Sequence, residues 1–456
     1  MRYLCPRRLL GAAGVIAVAL AAGAGGSASQ ALAGRPTATA GSDAVATGPV
    51  SATPATGTPQ LVKTSSQEQI RQLVKCGSTM YAVGSFTEIS QGGTTYSRNN
   101  VFSFSTTAPY TVSGWNVNVN GKVNTIGFTS GHGCGYAFLG GNFTSVHGTP
   151  ATNIAEVSTT TGAVVTSFGH NANGPVDTIF GYLDHLLVGG EFTVTNGYSR
   201  YYYESLNPST GKDDGFINLH VQGQIATNAR QIFNQQLSHT GNLMLVEGNF
   251  TTIAGQHRQQ IFMLSLNTSP ATLTGWTSPE FNGNCIAKES FYVRSAAWSP
   301  DDSTVYIADT GDHPLNWTNG SYPLTGLCDA AASFPATQTS VSHNWIEYTG
   351  CDSYYSVAAD SGAVYVSGHP RWAENPNGCN FAGSGAVADY GLQGLNPGNG
   401  TVEMSGGAPM YSSSRANADD MLITSAGLWI ASTNRFGSNV CDGVSGLSGI
   451  CFLPYS

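Results

Sequence analysis

An all-β fold is predicted by three observations. A short stretch recurs along the chain: Leu139-Gly140-Gly141-Asn142-Phe143-Thr144, Val188-Gly189-Gly190-Glu191-Phe192-Thr193, Val246-Glu247-Gly248-Asn249-Phe250-Thr251, and a weaker copy, Ala82-Val83-Gly84-Ser85-Phe86-Thr87. Each copy sits in a unit of several short apolar segments with strand-like composition and turn residues between them, and helical periodicity is absent. Glycine is abundant, 57 of 456 residues, while only 10% are charged, which suits many short strands joined by turns. A recurrence of roughly 50–60 residues with four short strands per unit is the pattern of a β-propeller blade.

Residues 1–33 read as a secretory signal: Arg2, Arg7 and Arg8 precede an apolar run from Leu9 to Ala22, and Ala31-Leu32-Ala33 offers small residues for cleavage. The run is short and rich in Ala and Gly, unlike a membrane span, and no other stretch is a candidate. Residues 34–58 are Ala, Thr, Pro, Gly and Ser with almost no charge, and are expected to be a disordered linker. The propeller domain is expected to occupy residues 59–456.

Within that domain the third unit shows the grammar. Val176-Asp177-Thr178-Ile179-Phe180 is a first strand, Leu186-Leu187-Val188 a second ending in the glycine motif, and Tyr201 to Leu206 a third. Asn207-Pro208-Ser209-Thr210-Gly211 is a turn, and a fourth strand leads to Phe216. Later units lose the Phe but keep the second strand, in Val305-Tyr306-Ile307-Ala308, Val364-Tyr365-Val366-Ser367 and Leu428-Trp429-Ile430-Ala431. Four units with the motif and three without it make seven blades of four strands. The last blade lacks a fourth strand, which Leu61-Val62-Lys63-Thr64 is expected to supply, closing the ring between the two ends of the domain. Between Thr310 and Tyr348 the repeat is stretched around Trp317, Cys328, His343 and Trp345.

The glycine motifs, with Asn173-Gly174-Pro175-Val176 before an inner strand and Leu206-Asn207-Pro208 and Gly211 after a third strand, resemble the delta-60 type repeats of secreted bacterial β-propellers, a group of domains of unknown function. Thr349-Gly350-Cys351-Asp352-Ser353 and the segment from Val364 to Trp372 are similar to parts of large exported actinobacterial proteins. The resemblance implies the fold and an exported protein, and implies no particular activity.

Nine cysteines are present. Cys5 would leave with the signal. The remaining Cys76, Cys134, Cys285, Cys328, Cys351, Cys379, Cys441 and Cys451 are expected to form disulfides, Cys441 with Cys451 because they lie close in sequence, the other connectivity being open. No C-x-x-C spacing suggests zinc. The formal net charge of −9, with no basic stripe, excludes a nucleic-acid partner. The motif glycines precede strands, not a helix N-terminus, so no dinucleotide site is predicted, and no cofactor is expected. No Gly-x-Ser-x-Gly elbow occurs.

The first strands of the units align at one position: Arg71, Asn124, Asp177, Arg230, Arg294, Asp352 and Asp419. Innermost strands line a propeller's channel, so these residues are expected to ring it, either as a network of compensating charges or as a binding site for a polar ligand, with arginines as forked donors. Asp352 and Asp419, with His369, are the candidates for acid–base chemistry of the kind glycoside hydrolysis uses. Gly368-His369-Pro370-Arg371-Trp372 adds a candidate cluster for stacking on a sugar or holding an anion. Asp312 and His313 occupy the matching place in the preceding unit. The leading expectation is an exported, monomeric, non-catalytic binding module for a polar molecule, glycan or protein; the alternative is a carbohydrate-active enzyme, hydrolase or lyase.

Overall fold

The computed structural model describes residues 48–62, 64, 68–225, 231–282, 285, 291–311, 326–411, 418–432 and 448–456. The described chain is almost entirely β, with a single 3-10 turn at Pro279–Asn282. Of the thirteen antiparallel sheets among the described residues, seven open on a hairpin of long strands and follow one another along the chain, the other six being small ribbons. The first is Gln69–Cys76, Thr79–Ser85 and Val101–Ser105; the second Lys122–Gly127, Tyr136–Asn142 and Ile154–Ser158; the third Val176–Tyr182, His185–Gly190 and Tyr203–Leu206. The fourth is Ile232–Leu237, Leu243–Gly248, Ile261–Ser265 and Thr272–Leu273, and the fifth Tyr292–Trp298, Thr304–Thr310, Ala330–Pro335 and Trp345–Tyr348. The sixth is Tyr354–Ala359, Val364–Gly368 and Leu392–Leu395, and the seventh Ala418–Thr424, Gly427–Ser432 and Ile450–Pro454. The first strand of every sheet packs on that of the next, and Ala418–Thr424 packs on Gln69–Cys76. That cyclic order is the arrangement of a β-propeller.

Among the described residues only the fourth and fifth of these sheets carry a fourth strand, two residues long in the fourth and four in the fifth. In the first, second, third and sixth the outer position shrinks to single bridges, Phe104–Val112, Val157–Val164, Leu206–Asp213 and Leu395–Val402. The regular fourth strand expected in every unit is therefore not seen throughout, the outer segments being short and turn-rich.

The core lies between sheets. Tyr81, Val83, Trp115, Val123 and Leu139 fill the space between the first and second. Leu61, Ile70, Phe102, Trp429 and Phe452 do the same between the first and seventh, with Trp429 and Phe452 stacked at 4.2 Å.

The N-terminal part departs from expectation twice. Residues 48–58, expected to belong to the linker, are packed: Val50 and Thr58 are buried, and Val50 N–H donates to the Tyr365 hydroxyl at 2.8 Å. Pattern-poor composition hid the fact that Val50, Ala52 and Ala55 reach apolar clusters of the propeller. The expected closing strand is also different. Gln60–Leu61 pairs with Glu88–Gln91 of the first repeat, not with the last strand. The free edge of Ile450–Pro454 instead receives backbone hydrogen bonds from Ser51 and Ala55, to Pro454 and Phe452, both at 2.8 Å.

Disulfides join Cys76 to Cys134, Cys285 to Cys328 and Cys351 to Cys379. Cys451 is disulfide-bonded as well, and Cys441 lies outside the described residues. Asp312, His313 and Trp317 of the stretched repeat also lie outside them.

The recurring motif has a structural origin. Its Phe residues, 86, 143, 192 and 250, are all buried plugs of the core. Its Thr closes a turn: Asn120 and Asn173 each accept from the backbone N–H of the motif Thr and of the residue after it, and donate to the hydroxyl of Thr144 or Thr193. The glycine two before the Phe stands opposite the start of the inner strand. A Cβ on Gly84, Gly141, Gly190 or Gly248 would collide with the carbonyl oxygen of Gln69, Lys122, Pro175 or Gln231. Only glycine lets the two backbones approach so closely.

Candidate functional site

That close approach accompanies a β-bulge. In all seven inner strands the register slips by one residue at the same place: between Ile70 and Gln72, Val123 and Thr125, Val176 and Thr178, Ile232 and Asn234, Val293 and Ser295, Tyr354 and Ser356, and Ala418 and Asp420. The residue left over at a bulge is unpaired and its side chain is re-aimed. The seven left-over residues are Arg71, Asn124, Asp177, Phe233, Arg294, Tyr355 and Asp419, and all seven line one cavity of about 150 Å3, together with Gln72, Thr178, Gln231, Asn234, Tyr292 and Asp420.

Five of the residues aligned from the sequence thus stand on this ring. Two do not. The place assigned to Arg230 is held by Phe233, and Arg230 itself lies outside the described residues. The place assigned to Asp352 is held by Tyr355. Both readings were three residues too early, and an odd slip in a strand turns a side chain to the other face. Arg230-Gln231-Ile232 imitates Arg71-Gln72-Leu73, but Ile232 pairs with Gly248 as Ile70 pairs with Gly84. A signal was available. Every pair just before a bulge, such as Ile70–Gly84, Val176–Gly190 and Tyr354–Gly368, spans an even number of positions, and the early readings give odd ones.

The residue after each bulge is polar, and most of these fasten one sheet to a neighbour. Gln72 Oε1 accepts from Ile126 N–H at 2.8 Å, Thr125 Oγ1 from Ile179 N–H at 3.0 Å, Ser295 Oγ from Val357 N–H at 3.4 Å and Asp420 Oδ2 from Leu73 N–H at 3.0 Å. Ser356 Oγ donates to the Ala418 carbonyl at 3.1 Å, and Gln235 Nε2 to Thr178 Oγ1 at 3.3 Å. This belt is structural, and it holds the ring of bulged side chains at one level.

The ring has a charged side and an aromatic side. On the charged side Asn124 Nδ2 donates to Asp177 Oδ1 at 2.9 Å and to the Val176 carbonyl at 3.3 Å, while Arg71 faces Asp419 at 3.9 Å. Lys122, which sequence alignment passed over, does not line the cavity but interacts electrostatically with Arg71, Asp177 and Asp419. Burial lowers its pKa to about 8, Arg71 acting in the same direction and the two aspartates against it. Burial raises Asp177 to about 7 and Asp420 to about 6, and raises Asp419, with Arg71 opposing in each case. Three buried acceptors here have no hydrogen-bond partner: Asn124 Oδ1, Asp177 Oδ2 and Asp419 Oδ2. On the aromatic side Arg294 donates to the Tyr292 hydroxyl at 2.9 Å and lies 4.8 Å from the Tyr355 ring centre. Phe233 stands 4.5 Å from Tyr292, centre to centre.

The second candidate cluster is separate. Asp352 is held by a bidentate pair with Arg371, at 2.7 Å from Nε and 2.9 Å from Nη2, and His369 Nδ1 lies 3.7 Å away. Burial pushes Asp352 upward, but hydrogen bonds from His369 and Arg371 outweigh it and keep the carboxyl below its usual range. Asp352 does not line the cavity, so Asp352 and Asp419 do not form a facing acid–base pair there. The Cys351–Cys379 bridge and Asn380, which accepts from Arg371 at 2.5 Å, brace the cluster. Trp372 is half-buried with its indole N–H unpartnered. The link to the ring is His369, whose imidazole packs edge-on to Tyr355 at 5.2 Å. Among the described residues no group of three or more His, Cys, Asp or Glu side chains is arranged to hold a metal ion, and no helix is long and apolar enough to cross a membrane.

No protein-family model and no curated protein sequence matches the chain. Solved structures do resemble it. One described as the structure of U3-55K has 9% identity and a TM-score of 0.49, covering 88% of this chain and 99% of that one. A chain of a mitotic checkpoint complex has 11% identity and a TM-score of 0.49, covering 90% of this chain and 98% of that one. The WD40 repeats of RRP9 align at 9% identity with a TM-score of 0.45, covering 89% of this chain and 99% of that one.

Proposed function

We propose that the chain is an exported seven-bladed β-propeller that acts as a non-catalytic binding module, taking a small polar ligand in its axial cavity. Seven sheets in cyclic order support the blade count. The bonds from Ser51 and Ala55 to the last strand support closure by the N-terminal segment. Export is supported by the signal-like residues 1–33, by the disulfides and by the delta-60 resemblance. The observation that carries the binding reading is the convergence of seven bulged side chains on one cavity, with acceptors left unpartnered. Native proteins rarely leave buried polar atoms unmatched without a reason.

The test is a thermal-shift and glycan-array screen of the wild type against Asp177→Asn and Asp419→Asn. Binding by the wild type that both substitutions weaken, with no product formed, supports the module. If both variants bind as the wild type does, the ring is structural. A carbohydrate-active enzyme is the second reading, favoured by one feature: Asp177, lifted to about 7 by burial, shares the cavity with a second carboxyl, Asp419. Turnover abolished by Asp177→Asn but retained by Asp352→Asn would select it.

A further inference from the structure

Three features of the cavity select a ligand more narrowly. The first is charge. Among the lining side chains Arg71 and Arg294 stand against Asp177, Asp419 and Asp420, and burial raises all three carboxyls toward their neutral form, which brings the site near charge balance. A charged ligand would upset that balance in a site already partly desolvated. The second is hydrogen-bonding demand. The unpartnered atoms, Asn124 Oδ1, Asp177 Oδ2 and Asp419 Oδ2, are all acceptors, and Asn124 is only 8% exposed. They ask for several donors, while Arg71 on the same cavity wall offers donors in return. A hydroxyl group donates and accepts at once, so a ring of hydroxyls meets both needs.

The third feature is the apolar wall. Arg294 already lies over the Tyr355 and Tyr292 rings, so the aromatic faces are not an open cage for an ammonium ligand. Phe233 remains as a partly exposed apolar face in an otherwise polar cavity. A pyranose presents that combination, with C–H groups on one face and hydroxyls at the edge. The volume, about 150 Å3, falls below the roughly 300–1,000 Å3 typical of sites for drug-sized ligands, which suits one ring and not an oligosaccharide.

We infer that the axial cavity is a subsite for a single neutral monosaccharide unit, its hydroxyls donating to Asn124, Asp177 and Asp419 and its apolar face against Phe233. This inference rests on the binding reading above and specifies its ligand. It is tested by calorimetry and saturation-transfer NMR with D-glucose, D-galactose, D-mannose and N-acetyl-D-glucosamine, alongside D-glucuronate, D-glucosamine, inorganic phosphate and spermidine. At least one neutral sugar is expected to bind, with charged counterparts weaker by roughly tenfold or more. Asp177→Ala and Phe233→Ala are each expected to weaken that binding by roughly tenfold or more. Asp301→Asn, in a turn outside the cavity, serves as the unaffected control, and circular dichroism verifies that each variant is folded. If only charged sugars, phosphate or spermidine bind, the neutral-sugar assignment is overturned while a binding cavity stands. If folded wild-type protein binds none of the probes, the binding reading falls as well. If a neutral sugar binds but Asp177→Ala and Phe233→Ala leave its affinity unchanged, the sugar sits elsewhere and the assignment to this cavity is overturned.

Discussion

Asp419 and Asp420 are neighbours in sequence and opposites in role. Asp419 is the bulged residue: it turns into the cavity, faces Arg71 loosely and leaves one oxygen unpartnered. Asp420 is the residue after the bulge, and its carboxylate takes the Leu73 N–H that links the seventh sheet to the first. The same division recurs at Asn124 and Thr125, and at Arg71 and Gln72. One position builds the frame and the adjacent one is free to meet a ligand. Residue type alone does not separate them, since both are polar in most sheets; the bulge does.

The contrast can be broken at its foundation first. Gly141→Val would drive a side chain into the Lys122 carbonyl and remove the bulge, costing at least about 3 kcal/mol in chemical denaturation. A smaller loss would mean that the bulge is not held by the glycine. Next comes the belt. Asp420→Ala leaves Leu73 N–H buried without an acceptor and should cost about 1–3 kcal/mol. Asp419→Asn, one residue away, should change stability by less than about 1 kcal/mol while abolishing ligand binding. Equal stability losses in the two variants would erase the distinction.

A pH series sharpens it further. Asp177 titrates near 7 in the folded protein, above an ordinary Asp value of 3.8. The folded state therefore holds a proton that the unfolded chain has released, and this contribution to stability is lost as pH rises from about 4 to about 7. Asp177→Asn should match the wild type near pH 4 and exceed it by on the order of 1 kcal/mol at pH 8. Thermal melts at both pH values check the sign. Glu204, Glu247 and Glu347, each raised to about 8 by burial, act in the same direction, so the wild type should melt at a higher temperature at pH 5 than at pH 8. The smallest effect is expected at Arg371→Lys. Its pair with Asp352 is half-exposed on the arginine side, so the loss should stay within about 1 kcal/mol with no change at the cavity.

The repeat grammar was legible because its causes are local. A glycine that must touch backbone, a phenylalanine that plugs the core and an Asn–Thr turn each leave a fixed letter in the sequence. The ring was legible wherever the inner strand began on a small aliphatic pair partner, as at Val123, Val176 and Val293. It was misread where a look-alike lay three residues upstream. Tyr354 hid the sixth strand because an aromatic stood in the aliphatic place, and Cys351-Asp352 offered a familiar acid too early. In the fifth and seventh sheets another residue takes the place of the motif glycine, while the sixth keeps Gly368 and loses only the Phe. Asp309 stands opposite Val293 and satisfies Ala330 N–H, and Ser432 stands opposite Ala418.

The hydrogen bonds from Ser51 and Ala55 to Phe452 and Pro454 have a further consequence for how the protein tolerates trimming. They mask the outer rim of the last strand, which would otherwise be a row of open donors and acceptors, the kind of template on which a second chain docks. Shortening the chain past Ala55 would leave the axial site intact and expose that rim, producing a particle inclined to pair or string together along it.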